Sequence, residues 1–277
     1  MLEVIHRRRS VRRFDGQPMD PAQRAEVEVL LARERVGVFG GRPRFAWVER
    51  DTARTDKGVK LGTYGFIHGA RSFIAGAIAR GPAAEVDFGY ALEAIILELT
   101  ALGLGTCWLG GTFSRAEYGR VLGLADDEFV PAVTPVGVAA EGRGALDRLV
   151  RWGAKSDSRL PWERLFFHGT PAQPLPREAA GAYGEVLEAL RLAPSASNKQ
   201  PWRVLSNGEG FHLFLRRTPG YGKLVPAADL QRIDMGIAMC HLETAAAALD
   251  LPGSWRVEPP TAPINLGEYV VTWAPGD

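Results

Sequence analysis

Asp87-Phe-Gly-Tyr-Ala-Leu-Glu-Ala-Ile-Ile-Leu-Glu-Leu-Thr-Ala-Leu-Gly-Leu-Gly-Thr-Cys-Trp108 aligns without a gap to Asp234-Met-Gly-Ile-Ala-Met-Cys-His-Leu-Glu-Thr-Ala-Ala-Ala-Ala-Leu-Asp-Leu-Pro-Gly-Ser-Trp255, at a constant offset of 147 residues. Asp, Gly, two Ala, two Leu and the closing Trp coincide. Each stretch reads as an apolar helix, a turn that ends it and a short strand. Two Ala- and Leu-rich helices share some residues by composition alone. The flanking Asp-x-Gly and the terminal Trp point instead to an internal duplication.

Other segments fall into the same two-part order. Asp20-Pro21 opens a helix, with Asp as N-cap, Pro at the first helical position and Gln23 three residues after the cap. That helix runs through Val27–Leu31, and its counterpart is Glu185–Leu192. Strand candidates follow at Arg44–Val48, Val133–Val138, Trp202–Leu205, Phe211–Arg216 and Tyr269–Trp273. Short strands interleaved with helices and hairpin-like links indicate an α+β fold with mixed sheets. His168–Pro176 holds Pro171, Pro174 and Pro176 and reads as an extended connector. The expected organisation is a first half over 1–168, a connector over 169–178 and a shorter second half over 179–277.

Composition narrows the function classes. Hydrophobic residues make up 46% of the 277 and charged residues 23%, enough for a substantial core under a solvated surface. A formal net charge of +1 gives no reason to expect nucleic acid or an anionic membrane as partner. Glu93 and Glu98 interrupt the longest apolar run, which argues against a membrane span. The N-terminus lacks the apolar core of a signal peptide, so the expected compartment is the cytoplasm. Cys107 and Cys240 have no metal-ligand spacing, nor do the five histidines, so no metal is expected. The two cysteines read as buried thiols, and His241 as a packed helix residue.

Three segments could carry chemistry. Arg7-Arg-Arg-Ser-Val-Arg-Arg-Phe14 concentrates guanidinium forks that match phosphate oxygens; a solvated basic helix end would look similar. Leu192-Ala-Pro-Ser-Ala-Ser-Asn-Lys-Gln-Pro-Trp202 packs more polar groups between a helix and a strand than a plain connection needs. In Gly103–Thr112, Gly110 and Gly111 allow the backbone to approach a flat ligand, although packing glycines in a turn give the same pattern. Neither a P-loop nor a G-x-S-x-G elbow is present.

Together these segments resemble the nitroreductase family of flavoproteins. The resemblance rests on Arg8-Arg-Ser-Val-Arg-Arg-Phe14, on Ala193-Pro-Ser-Ala-Ser-Asn-Lys-Gln-Pro-Trp202, on Gly103-Leu-Gly-Thr106 and on Arg159-Leu-Pro-Trp-Glu163. The order departs from ordinary members, in which the Ala-Pro-Ser motif soon follows the Arg-Arg-Ser motif. Family homodimers build each FMN site from both subunits. The resemblance therefore implies a single-chain pseudo-dimer: a nitroreductase-like fold of two related half-domains, each keeping one part of one site.

It also implies the site residues. Arg8, Arg9, Ser10 and Arg12 would face the FMN phosphate, ribityl chain and pyrimidine edge. Leu109, Gly110 and Gly111 would lie near flavin N5. Arg159 would help hold the phosphate. Pro194, Ser195, Ala196 and Asn198 would line the ring, and the Gln200 amide would suit its uracil-like edge. No side chain need be a nucleophile, since the flavin carries the chemistry and Arg12 stabilises the charge of its reduced form. The expected activity is ping-pong hydride transfer from NAD(P)H through flavin N5 to small electron-poor acceptors, nitroaromatic or quinone-like, by a monomer. A non-catalytic FMN-binding or sensing role, dehalogenation and enone reduction are the alternatives.

Overall fold

A computed structural model describes residues 1–49, 67–140, 158–223, 225–261 and 264–276. Two long helices lie at its centre, α3 (Ala84–Ala101) and α6 (Leu230–Ala248). Both carry an Asp-x-Gly sequence near the N-terminal end, and its glycine explains how closely they pack. A β-carbon on Gly89 would overlap the Ile233 carbonyl oxygen, and one on Gly236 the Val86 carbonyl oxygen. The contact is reciprocal: Val86 and Ile233 are themselves 147 residues apart. Only residues without a side chain let two helix backbones approach so closely.

A sheet flanks each helix. On the α3 side lie β1 (Arg44–Glu49), β2 (Ser72–Ala79), β3 (Gly105–Thr106), β4 (Glu128–Phe129) and β5 (Val133–Gly137), in the order β1-β2-β5-β3 with β4 on β2. Every β2 residue from Ser72 to Ile78 is buried, because the strand is covered on both faces. Ile74 and Ile78 join the central core, whereas Phe73, Ala75 and Ala77 join a second core with Tyr118 of α4 (Arg115–Leu122). With no polar alternation to betray it, β2 is a strand the sequence does not announce.

On the α6 side are β6 (Phe166–His168), β7 (Thr170–Pro174), β8 (Trp202–Ser206), β9 (Phe211–Leu215), β10 (Gly253–Arg256) and β11 (Glu268–Pro275), in the order β10-β11-β9-β8-β6-β7. This sheet is mixed: β6 runs parallel to β8 and its other pairs are antiparallel. The Pro-rich stretch expected to be a connector forms β7, and Phe166–His168 of the expected first half forms β6. Prolines are tolerated there because β7 is an edge strand and owes no hydrogen bond on its outer side. The fold is α+β.

The remaining helices are α1 (Leu2–Arg7), α2 (Pro21–Ala32) and α5 (Tyr183–Leu192). Asp20 caps α2, accepting from the backbone N–H of Ala22 and Gln23 at 2.9 and 3.2 Å. The Gln23 side chain does not close a capping box; it reaches Leu102 O at 3.5 Å. Beneath these helices is a buried polar knot. Glu93, fully buried, accepts from Trp108 Nε1 at 2.6 Å and contacts His241 Nε2 at 2.9 Å. His241 Nδ1 lies 2.9 Å from the Ala189 carbonyl oxygen, which can only accept, so Nδ1 carries a hydrogen. Cys107 and Cys240 are separate buried thiols.

Candidate functional site

Three segments distant in sequence meet at one cavity of about 390 Å³. The first is the arginine-rich N-terminus. After α1 it turns extended and runs beside β3, with Val11 N donating to Thr106 O at 2.7 Å and Ser10 bridging Thr106. Gly105 makes room for it: a β-carbon there would collide with the Val11 side chain. Extended backbone sends alternate side chains to opposite sides. Ser10 and Arg12 face the cavity, and Val11 packs away from it.

The second segment contributes Cys107, Trp108, Gly110, Gly111 and Thr112. The Gly110 carbonyl is held by the Arg115 guanidinium, which also donates to Pro131 O at 3.1 Å and lies 4.6 Å from the Phe113 ring centroid. Burial pushes the Arg115 pKa below its ordinary value. Leu230 and Val225 close over the two glycines, where a β-carbon on Gly110 would meet Leu230 and one on Gly111 would meet Val225.

The third segment is the loop after α5, which contributes Pro194, Ser195, Ala196 and Ser197. Its backbone is strained: Ser197, Asn198 and Gln200 have φ of 48°, 53° and 48°. Such left-handed conformations in residues other than glycine persist only where surrounding contacts over-determine them. Those contacts are on hand. Ser195 Oγ accepts from Gln200 N at 2.8 Å, and Asp234 Oδ1 accepts from Ala196 N at 2.9 Å. Gln200 Oε1 accepts from Leu160 N at 2.7 Å, while its amide nitrogen donates to the Asn198 carbonyl and side-chain oxygens, both at 3.2 Å. Asn198 Nδ2 donates to Ser158 O at 2.9 Å, and Arg159 Nη2 to Leu192 O at 2.9 Å. Tyr221 O–H donates to Ser197 Oγ at 3.0 Å.

Of the residues singled out in the sequence, Ser10, Arg12, Gly110, Gly111, Pro194, Ser195 and Ala196 line this cavity. Arg8, Arg9, Leu109, Arg159, Asn198 and Gln200 are not on its wall. Arg8, expected at a phosphate, sits at the end of α1 with its side chain 4% exposed and Nε 3.7 Å from Glu93 Oε1. Arg9 is exposed. Leu109 turns into the core and pairs with Val133. Gln200, expected at a ring edge, is 3% exposed, and its amide is spent on the loop itself.

The sequence reading did not include Tyr221, Val225, Leu230, Ile233, Asp234 and Ile237, all on the wall. Ile233 and Ile237 lie one helical turn apart on α6 and share a face. Asp234 was visible as the first residue of the second repeat. It is 2% exposed; one oxygen takes the Ala196 N–H, and the other, Oδ2, has no hydrogen-bond partner among the described residues. Burial raises its pKa well above the ordinary carboxylate range, and Asp229 adds to the effect. Tyr221 is raised as well by burial, against the lowering effect of its hydrogen bond with Ser197.

Among the described residues, no group of three or more His, Cys, Asp or Glu is placed to hold a metal, and no helix is long and apolar enough to cross a membrane. No curated protein matches the sequence. Among solved structures, a putative nitroreductase from Thermotoga maritima is similar over 99% of this chain and 92% of its own, with 20% identity and a TM-score of 0.59. Two others match about half of the chain. A nitroreductase with bound FMN from Bacteroides fragilis covers 52% of this chain and 90% of its own (21% identity, TM-score 0.38). An FMN-dependent nitroreductase from Clostridium difficile covers 52% and 91% (16% identity, TM-score 0.41). The family model described as "Putative TM nitroreductase" matches residues 1–246, and the chain belongs to that family.

Proposed function

We propose that the cavity binds FMN and that the protein passes a hydride from NAD(P)H to small electron-poor acceptors, nitroaromatic or quinone-like, in ping-pong fashion. The observation that carries this reading is the meeting of Ser10 and Arg12, Gly110 and Gly111, and Pro194–Ser197 around one space. The wall suits a flat heteroaromatic ring. Trp108, Ile233 and Ile237 supply apolar surface, and the glycines give backbone access. The family, and the FMN named for two similar structures, agree with that fit.

FMN would supply two-electron chemistry at its ring. The chain's own part is positioning. Arg12 is the cation on the wall, and in a site that excludes water a cation stabilises developing negative charge more than it would in bulk solvent. The strained loop offers short polar groups and is held by hydrogen bonds to Asp234, Leu160, Ser158 and Tyr221. Leu230 and Val225 lie against the two glycines and add apolar surface to the wall. The fit is better for the ring than for the phosphate, because Arg8 is off the cavity wall, with its buried Nε 3.7 Å from Glu93. The exposed Arg9 and the loop-anchoring Arg159 are the remaining candidates for that end.

We read the chain as a duplicated half fused into a pseudo-dimer that acts as a monomer, with halves over 1–168 and 179–277 and residues 166–174 lent to the second sheet. Support comes from the 147-residue offset and from the reciprocal glycine contacts at the helix crossing. A reducing cytoplasm suits two buried thiols.

An absorbance spectrum of the purified protein, followed by NADH or NADPH addition without air, tests the function. A flavin band bleached by either nucleotide is the expected result; a colourless protein that takes up no added FMN would sink it. Arg12→Ala should slow reduction more than it lowers FMN occupancy, and equal losses would remove the assigned role.

A further inference from the structure

We propose that Asp234 keeps its proton in the folded protein and delivers it from Oδ2 to an oxygen of the acceptor reduced in the cavity. The inference rests on the function proposed above and adds to it a named proton donor.

A buried carboxyl group has two oxygens to satisfy. Asp234 Oδ1 receives the Ala196 N–H, whereas Oδ2 is buried and meets no donor among the described residues. A carboxylate oxygen left in that condition is costly. A hydroxyl there is different: it is a donor that a ligand with an acceptor oxygen would satisfy. The same molecule holds the contrasting case. Asp87, its counterpart in the first repeat, has both oxygens taken, by Phe39 N at 2.9 Å and Gly41 N at 2.7 Å. Only the aspartate on the cavity wall keeps an oxygen in reserve.

The charged and titratable groups around it fit a neutral acid. Asp229, at the start of α6, disfavours a second negative charge. Glu85 of α3 lies next to Asp229, its Oε1 3.4 Å from Asp229 N. Arg12 shares the cavity wall and would favour the anion once it forms. Tyr221, bonded to the exposed Ser197, also lines the cavity and gives a hydroxyl route toward water.

The step balances. The acceptor gains a hydride from the two-electron donor of the proposed function. As it does, the Oδ2–H bond breaks, its electron pair stays on Asp234, and a new O–H bond forms on the acceptor oxygen. Asp234, now a carboxylate, recovers a proton from water.

Asp234→Asn is the informative variant, because its side-chain oxygen still accepts from Ala196 N while it has no acidic proton. The first readout needs no cofactor. At neutral pH the wild-type protein should show the infrared carbonyl band of a buried carboxylic acid, and Asp234→Asn should lose it. If the band is absent from wild type, or unchanged in the variant, the proposal fails.

The second readout compares two oxidants of the reduced protein, 1,4-benzoquinone, which must take up protons, and ferricyanide, which need not. The ratio of quinone to ferricyanide rate should fall at least tenfold in Asp234→Asn, along with the solvent deuterium effect on the quinone step. An unchanged ratio, both rates having fallen together, would assign Asp234 a purely structural part and overturn the transfer. A protein that binds no flavin would overturn the underlying function and the transfer with it, while the infrared band still decides whether Asp234 holds its proton.

Discussion

The two Asp-x-Gly helices hold two loops, and the loops have come to different ends. In the first half, Asp87 grips residues 37–41 with both oxygens, and Gly37 and Gly41 crowd against its side chain. In the second half, Asp234 grips its loop with one oxygen only, and the cavity opens beside it. Where α6 presents Ile237 to the cavity, α3 carries Tyr90 at the equivalent position. The Tyr90 hydroxyl donates to Glu243 at 2.6 Å, and Trp255 Nε1 donates to the same oxygen at 2.7 Å. Burial, then the Glu243 charge, drives the Tyr90 pKa strongly upward. One region has been knitted shut by hydrogen bonds and the other left available, on the same helical scaffold.

The largest effects should come where the halves are alike. Gly89→Ala and Gly236→Ala each drive a methyl group into a backbone carbonyl, at a cost of about 3 kcal/mol. Urea denaturation should give the two variants similar losses; a large inequality would break the equivalence of the halves. The next effect should separate them. Asp87→Ala orphans two buried amides and should cost about 2–3 kcal/mol, whereas Asp234→Ala orphans one and removes a costly acid, for about 1 kcal/mol or less.

Titration sharpens the contrast. Both carboxyl groups are raised by burial, Asp234 the more strongly. A folded state that holds a proton the unfolded chain gives up is favoured in acid. This contribution is complete below the unfolded carboxylate range and is lost as pH climbs through the folded value. Relative to Asp234→Asn, wild type should lose up to about 1.4 kcal/mol per pH unit across that window. Denaturant midpoints for both proteins at a series of pH values measure the difference, and Asp87→Asn should show a smaller one.

Smaller still, Ser195→Ala removes the acceptor for Gln200 N and should cost about 1 kcal/mol, with weaker retention of added FMN by equilibrium dialysis. Tyr221→Phe should change stability by only about 0.5 kcal/mol, its hydroxyl bonding to an exposed serine.

The sequence displayed these differences unevenly. The α2 cap was legible because Asp-Pro carries its own mechanism, and the two long helices because their apolar runs repeat at a helical period; that they cross at Gly89 and Gly236 was not read from the sequence. Arg8 lies off the cavity wall because the period changes beneath it. Arg8, Ser10 and Arg12 share a parity, but Arg8 still belongs to the helix end, and only the residues after it follow the two-residue alternation that aims Ser10 and Arg12. Gln200 lies off the wall for another reason: an amide suits a ring edge and a backbone N–H equally well, and the left-handed residues at 197, 198 and 200 turn it to Leu160 N. Tyr221 and Val225 gave no local sign, since what places them is the packing of their segment over Gly110 and Gly111.

The proline-bearing edge strand β7 has a practical consequence. It and β6 precede the second lobe in the chain, yet they hydrogen-bond within that lobe's sheet, β6 against the centre strand β8. A gene severed after His168 would hand the front fragment a strand it cannot use and leave the back fragment with a raw sheet edge prone to sticking. Split-protein designs, or attempts to express either lobe by itself, should place the cut before Leu165 so that the borrowed ribbon travels with its hosts.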